Sequence, residues 1–184
     1  LNSSSKECIL GLDISTSITG ATIIQDDKIL KTTFWDTRNK KRFTTIYQKA
    51  RYVKGQLEDL AADYKISHVY IEQSLHSFRS GFSSAQTLST LSRFNGIVSW
   101  ICWDLFSVTP EMIAATSARK QAGVGIKRGD NAKEKVLEFI IDKYPDIEIQ
   151  YTKHGNPKPG TLDMCDSIVI ALAGEKLVRE AQTT

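Results

Sequence analysis

Along residues 9–24, ILGLDISTSITGATII, two apolar runs flank a single carboxylate and a hydroxyl-rich stretch. The pattern predicts a strand, a tight turn and a second strand, with Asp13 at a strand end where the core opens. DDK at 26–28 is a turn signal, and KILKTTFW at 28–35 alternates apolar and polar positions as a third strand. Three antiparallel strands therefore come first. Ile46, Ala50, Val53, Leu57 and Leu60 then recur at three- and four-residue steps, the period of an amphipathic helix over 42–64. SHVYIEQ (67–73) reads as a short buried strand ending at Glu72, and SLHSFRSGFSS (74–84) as a polar loop.

Over 84–105, Ala85, Leu88, Leu91, Ile97, Ile101 and Leu105 form a second helical stripe, while Phe94, Val98 and Trp100 extend the apolar surface past one face. A helix apolar on two sides needs a second partner, such as another subunit. FSVTP (106–110) predicts a fifth strand, and Pro110 is placed to open a short helix in PEMIAATSARKQ. GVGIKRGDN (123–131) is a glycine-containing loop, AKEKVLEFIIDKY is helical up to Pro145, and a polar connector over 146–160 leads to a last helix over 161–181. The sum is one α/β domain over 1–184, with its core at about 7–178: a mixed five-stranded sheet, three antiparallel strands then two parallel ones, flanked by helices.

No apolar run approaches the ~20 residues of a membrane span, so no membrane partner is expected. Cys8, Cys102 and Cys165 lie inside apolar patterns without C-x-x-C spacing, which predicts buried free thiols and a reducing compartment. The expected location is the cytoplasm of a bacterial or phage-infected cell, with organellar targeting by a removed segment left open. A net charge of +3, from 24 Lys and Arg against 21 Asp and Glu, does not announce a nucleic-acid binder. The distribution says more, since cations gather in RNKKR (38–42), ARK (118–120), IKRGDNAKEK (126–135) and KHGNPK (153–158). Each cluster alone fits a solvated face equally well. His68, His76 and His154 are scattered and read as ordinary surface or loop residues.

The acids are patterned differently. Asp13 and Glu72 each follow an apolar run at a strand end, and LDMCDSIVIALAG adds Asp163 and Asp166, three apart and so on one helix face. Four carboxylates at the edges of core elements repel one another unless cations hold them. Oxygen ligands without Cys or His pairs favour Mg²⁺ or Mn²⁺ over zinc. Two such ions, ~3.5–4 Å apart, suit phosphodiester cleavage.

ILGLDISTSITG, VYIEQ, GVGIKRGDNAKEKV and LDMCDSIVIALA, in this order and at domain-like spacing, resemble the RuvC-type Holliday junction resolvases of the ribonuclease H-like superfamily, over nearly all of 8–174. The resemblance implies a homodimeric, metal-dependent endonuclease that nicks four-way DNA junctions in a symmetric pair of cuts. Asp13 would share both of two Mg²⁺ or Mn²⁺ ions, Glu72 would bind one, and Asp163 and Asp166 would complete the site. Lys133 would contact the scissile phosphate or stabilise developing charge, with Arg119, Lys120, Lys127 and Arg128 extending contacts to the DNA backbone. The family commonly places an aromatic three residues after the glutamate to pry at base pairs. Leu75 stands there in this chain, and Phe78 or Phe82, beside Arg79 in the same loop, could substitute.

Ser15 replaces a family glycine and the connector before Asp163 is long, which fits a phage or other divergent member. A two-fold dimer through the helix around Leu91 to Leu105 would match a two-fold junction. The first motif also resembles the phosphate loop of sugar kinases and actin-like ATPases, but those need two lobes, so no nucleotide cofactor is expected. A less selective branched-DNA or flap nuclease, and a branched-DNA binding module without catalysis, are the alternatives.

Overall fold

The computed structural model describes residues 8–73 and 85–183. β1 (Cys8–Asp13), β2 (Ile18–Gln25) and β3 (Lys28–Asp36) form the antiparallel meander. Its second hairpin turns at Asp26 and Asp27, both at positive φ, the backbone that matches the twist of paired strands in a two-residue loop. β4 (Ile66–Glu72) pairs parallel with β1, and β5 (Glu111–Ile113) parallel with β4, giving the order β3-β2-β1-β4-β5.

Helices α1 (Ile46–Asp63) and α2 (Ala85–Phe106) cover one face of the sheet; α5 (Thr161–Gln182) covers the other, with α3 (Ala115–Ala122) and α4 (Ala132–Lys143) packed beside it. Strand alternation sorts the side chains. Leu10, Leu12, Ala21, Ile23, Val69 and Ile71 join the α1–α2 core, while Ile9, Ile24 and Tyr70 join the α5 core. A sheet covered on both faces explains why β1 and β2 are almost wholly buried. Helix α5 is the centre of the fold, buried almost continuously from Thr161 to Glu175.

Three expected elements are displaced. Helix α1 starts at Ile46 rather than 42, because Thr45 and Gln48 close a capping box there. The predicted fifth strand at 106–110 is not one: α2 runs through Phe106, Ser107 takes a positive φ, and pairing with Tyr70, Ile71 and Glu72 falls on Glu111, Met112 and Ile113. The following helix consequently starts at Ala115, not at Pro110. The buried stripe of α2 is Phe94, Val98, Ile101 and Cys102, so two residues assigned to its second face are core. Trp100 and Trp103 remain on the outer side, 57% and 52% exposed. Within the 146–160 connector, Tyr151 and Pro157 form an antiparallel bridge. Cys8, Cys102 and Cys165 are buried free thiols, and among the described residues no helix is long and apolar enough to cross a membrane.

Candidate active site

Register places the first two acids together. Leu12 pairs with Ile71 across the parallel β1–β4 ladder, so Asp13 and Glu72, one residue on, end neighbouring strands ~4.8 Å apart. Alternation turns both toward α5, on the side of Gly11 and Tyr70. The helix acids arrive by close packing. Gly20 pairs with Asp13 on β2, and a Cβ at Gly20 would collide with the backbone carbonyl of Asp163. A Cβ at Gly11 would likewise strike the α5 backbone at Ser167 and Ala171. These two glycines let α5 lie directly on the strands, and its N-terminal turn reaches the rim where Asp13 and Glu72 stand.

Rotation of α5 is fixed by hydroxyls. Ser167 Oγ donates to the Met164 carbonyl at 2.7 Å, so it accepts from Thr22 Oγ1 at 2.7 Å, which in turn accepts from Thr32 Oγ1 at 2.8 Å. With Ser167 held against β2, Asp163 lies one turn earlier on the same face and Asp166 beside it, 8% exposed.

The four carboxyls feel one another. Burial, then the charges of Glu72, Asp166 and Asp163, hold the Asp13 carboxyl well above the usual carboxylate range. Burial and then Asp166 push Glu72 up to about 7. Burial also raises Asp163 and Asp166, each in part offset by cations. Among the described residues, Lys133 is the one cation that acts on all four, favouring the ionised form each time. It stands in the first turn of α4, where Asn131 Oδ1 caps its backbone N–H at 3.1 Å. Arg119 on α3 approaches Asp166 Oδ1 at 4.0 Å and also favours the charged form of Glu72.

Among the described residues no three His, Cys, Asp or Glu side chains close into a metal-holding group, so the acids share a rim without meeting at one point. Their chemistry still fits a hard divalent cation: oxygen donors only, partly desolvated, and carrying more negative charge than Lys133 and Arg119 neutralise.

No family model and no curated sequence matches the chain. Solved structures do. Thermus thermophilus RuvC in complex with a Holliday junction substrate superposes with a TM-score of 0.67 at 14% identity, over 95% of this chain and 96% of that one. A second structure of Thermus thermophilus RuvC gives 0.65 at 13% identity, over 95% and 96%. The yeast mitochondrial Holliday junction resolvase Ydc2 gives 0.65 at 13%, over 97% of this chain and 81% of that one. This chain has the RuvC fold, a ribonuclease H-like arrangement.

On this RuvC scaffold the expected DNA-contact residues divide. Lys120, Lys127 and Arg128 are exposed, whereas Arg119 is half-buried against Asp166. A groove of about 700 Å³ runs between α3 and the loop before α4, lined by Arg119, Lys120, Gly123, Val124, Gly125 and Ile126. Asp130 Oδ2 accepts the Lys127 N–H at 2.7 Å and shapes that loop. Leu75, His76, Phe78, Arg79 and Phe82 lie outside the described residues. His68 hydrogen-bonds Ser67 at 3.1 Å and His154 is exposed in the connector. Sequence reasoning missed Gly11, Gly20, Thr22 and Ser167, which position the acids. Their signal was weak: both glycines share the alternation phase of the acid-bearing face, a link visible only once the strand pairing is known.

Proposed function

We propose that the chain is a metal-dependent, structure-specific endonuclease that resolves four-way DNA junctions by paired symmetric nicks. The observation that carries this reading is the gathering of Asp13, Glu72, Asp163 and Asp166, from three distant segments, on one rim with Lys133 acting on all of them. The RuvC fold supports it, as does the junction-bound state of the Thermus thermophilus relative.

The four carboxylates would hold two Mg²⁺ or Mn²⁺ ions, which supply activation of water and stabilisation of the leaving oxygen when bound. The chain's own residues do the rest. Asp13, whose carboxyl feels all three other acids, would be the shared ligand, with Glu72, Asp163 and Asp166 completing the set. Lys133 neutralises charge developing on the scissile phosphate. Arg119, Lys120, Lys127 and Arg128 engage flanking phosphates, and the 75–82 segment, with Leu75, Phe78, Arg79 and Phe82, opens the crossover. Pairing of the nicks comes from a homodimer formed through the outer face of α2, where Trp100 and Trp103 offer large exposed apolar surface.

Labelled four-way, flap and duplex DNA incubated with and without Mg²⁺ tests the reading. We expect Mg²⁺-dependent nicks at symmetric positions of the four-way junction. Equal cutting of flaps would make it a general branched-DNA nuclease. Binding without cutting under any divalent ion would make it a binding module.

A further inference from the structure

The basic segment RNKKR at 38–42 has no part in the function described above, yet the topology delivers it to the same rim. β3 is antiparallel to β2, which is antiparallel to β1, so β3 and β1 run the same way and end on the same edge. The segment therefore follows β3 as Arg119 and Lys127 follow β5, at opposite ends of one edge with the acids between. At ~4.8 Å per strand, the five strands separate the two ends by ~19 Å, the rise of about five or six nucleotides of one strand.

The segment is built in place. Thr37 donates its backbone N–H and its hydroxyl to the Ser17 carbonyl at 2.8 and 3.1 Å, and Lys49 Nζ donates to the carbonyl of Thr16. Both acceptors belong to the turn that follows Asp13. Asn39 Oδ1 accepts the N–H groups of Lys41 and Arg42 at 3.0 and 3.2 Å, closing a local turn. Phe43 is buried against Tyr52, and the Arg42 guanidinium lies 5.0 Å from both ring centroids. Asp36 binds Arg38 through both carboxylate oxygens at 2.6–3.1 Å, and Arg38 in turn favours the ionised form of Asp163.

Lys40, Lys41 and Arg42 are exposed, and none of the ion pairs among the described residues involves them. Burial, with a smaller contribution from the like charge of Lys40, lowers the pKa of Lys49. A rigid loop presenting three cations beside a phosphodiester site matches a polyanion backbone.

We infer that the 38–42 loop is a second phosphate-binding bank, gripping the DNA backbone through Lys40, Lys41 and Arg42 on the side of the acids opposite Lys127 and Arg128. The inference rests on the junction-nuclease reading and adds a contact that sets how far the substrate extends along the rim.

The test is the affinity of wild type, Lys40→Gln/Lys41→Gln and Lys28→Gln/Lys31→Gln for a labelled four-way junction in EDTA, between 50 and 200 mM salt. Lys28 and Lys31 are exposed on the same strand but away from the rim, and removing them changes the net charge equally. We expect the loop variant to bind roughly tenfold more weakly near physiological salt and to flatten the log–log salt slope by about 1.8, with the β3 variant near wild type. Its melting temperature should be unchanged. Loop and β3 variants that behave alike overturn the second bank and leave the nuclease reading standing. A wild type that binds no junction overturns both.

Discussion

Helix α5 carries a buried carboxylate near each end, and the two are treated oppositely. Glu175, 6% exposed, accepts the Asp27 N–H with both oxygens at 3.1 and 3.0 Å and meets Arg179 at 3.0 Å. Asp27 is itself paired with Lys143 and Arg179. Asp166, 8% exposed, meets Arg119 at 4.0 Å and shares its rim with three further acids that burial and mutual repulsion hold toward their neutral forms. The Glu175 end is a satisfied structural pair. The Asp166 end carries a charge deficit that divalent cations would fill.

The sharpest way to separate the two ends is to neutralise one acid at each. Asp13→Asn should lower Mg²⁺-dependent junction cleavage by about 10³-fold or more while preserving junction affinity. Glu175→Gln should leave single-turnover cleavage intact and cost about 1–3 kcal/mol, seen as a lower melting temperature. Full cleavage by Asp13→Asn would move the chemistry elsewhere.

A second comparison uses the glycines under the helix. Gly20→Ala forces a methyl against the Asp163 carbonyl, and Gly174→Ala forces one against the Tyr70 ring. Each should destabilise by about 1–3 kcal/mol. Cleavage kinetics should fall much further for Gly20→Ala, because its strain displaces the acid-bearing turn. Equal activity losses would remove the positioning role of Gly20.

The pH response follows from Glu72, whose carboxyl stands at about 7 in the fold against an ordinary value near 4.5. Between those values the folded protein binds more protons than the unfolded chain, so stability falls as pH rises, by up to about 3 kcal/mol. Thermal melts in EDTA from pH 4.5 to 8 should show this decline, and Mg²⁺ should reverse it at the upper end. The smallest effect is expected for Arg119→Gln. Losing its charge raises Glu72 and Asp166 further, moving the acidic limb of the cleavage profile to higher pH by less than about one unit. An unmoved limb would confine Arg119 to packing or DNA contact.

The strands through Glu72, the helices α4 and α5, and the acids themselves are legible because their apolar periods are long and regular. Local pattern could not give the parallel pairing that sets Asp13 beside Glu72, nor the glycine contacts that lower α5 onto β2, since both depend on residues far apart in the chain. β5 was misplaced because Val108 and Thr109 have the higher strand propensity, while the three residues that pair are chosen by the end of β4. The α2 stripe was read partly off the buried face for a related reason: over 94–106 apolar residues stand on nearly every side, and few polar positions fix the helix's rotation. RNKKR looked like any solvated charge run until the direction of β3 put it on the rim.

Melting temperatures of wild type and Asp13→Asn at pH 8, in EDTA and in Mg²⁺, decide whether the rim acids form an unsatisfied cation site. If they do, Mg²⁺ stabilises wild type, Asp13→Asn melts higher than wild type in EDTA, and the variant loses most of the Mg²⁺ increment. A wild type indifferent to Mg²⁺, with Asp13→Asn melting lower in EDTA, would rule the site out.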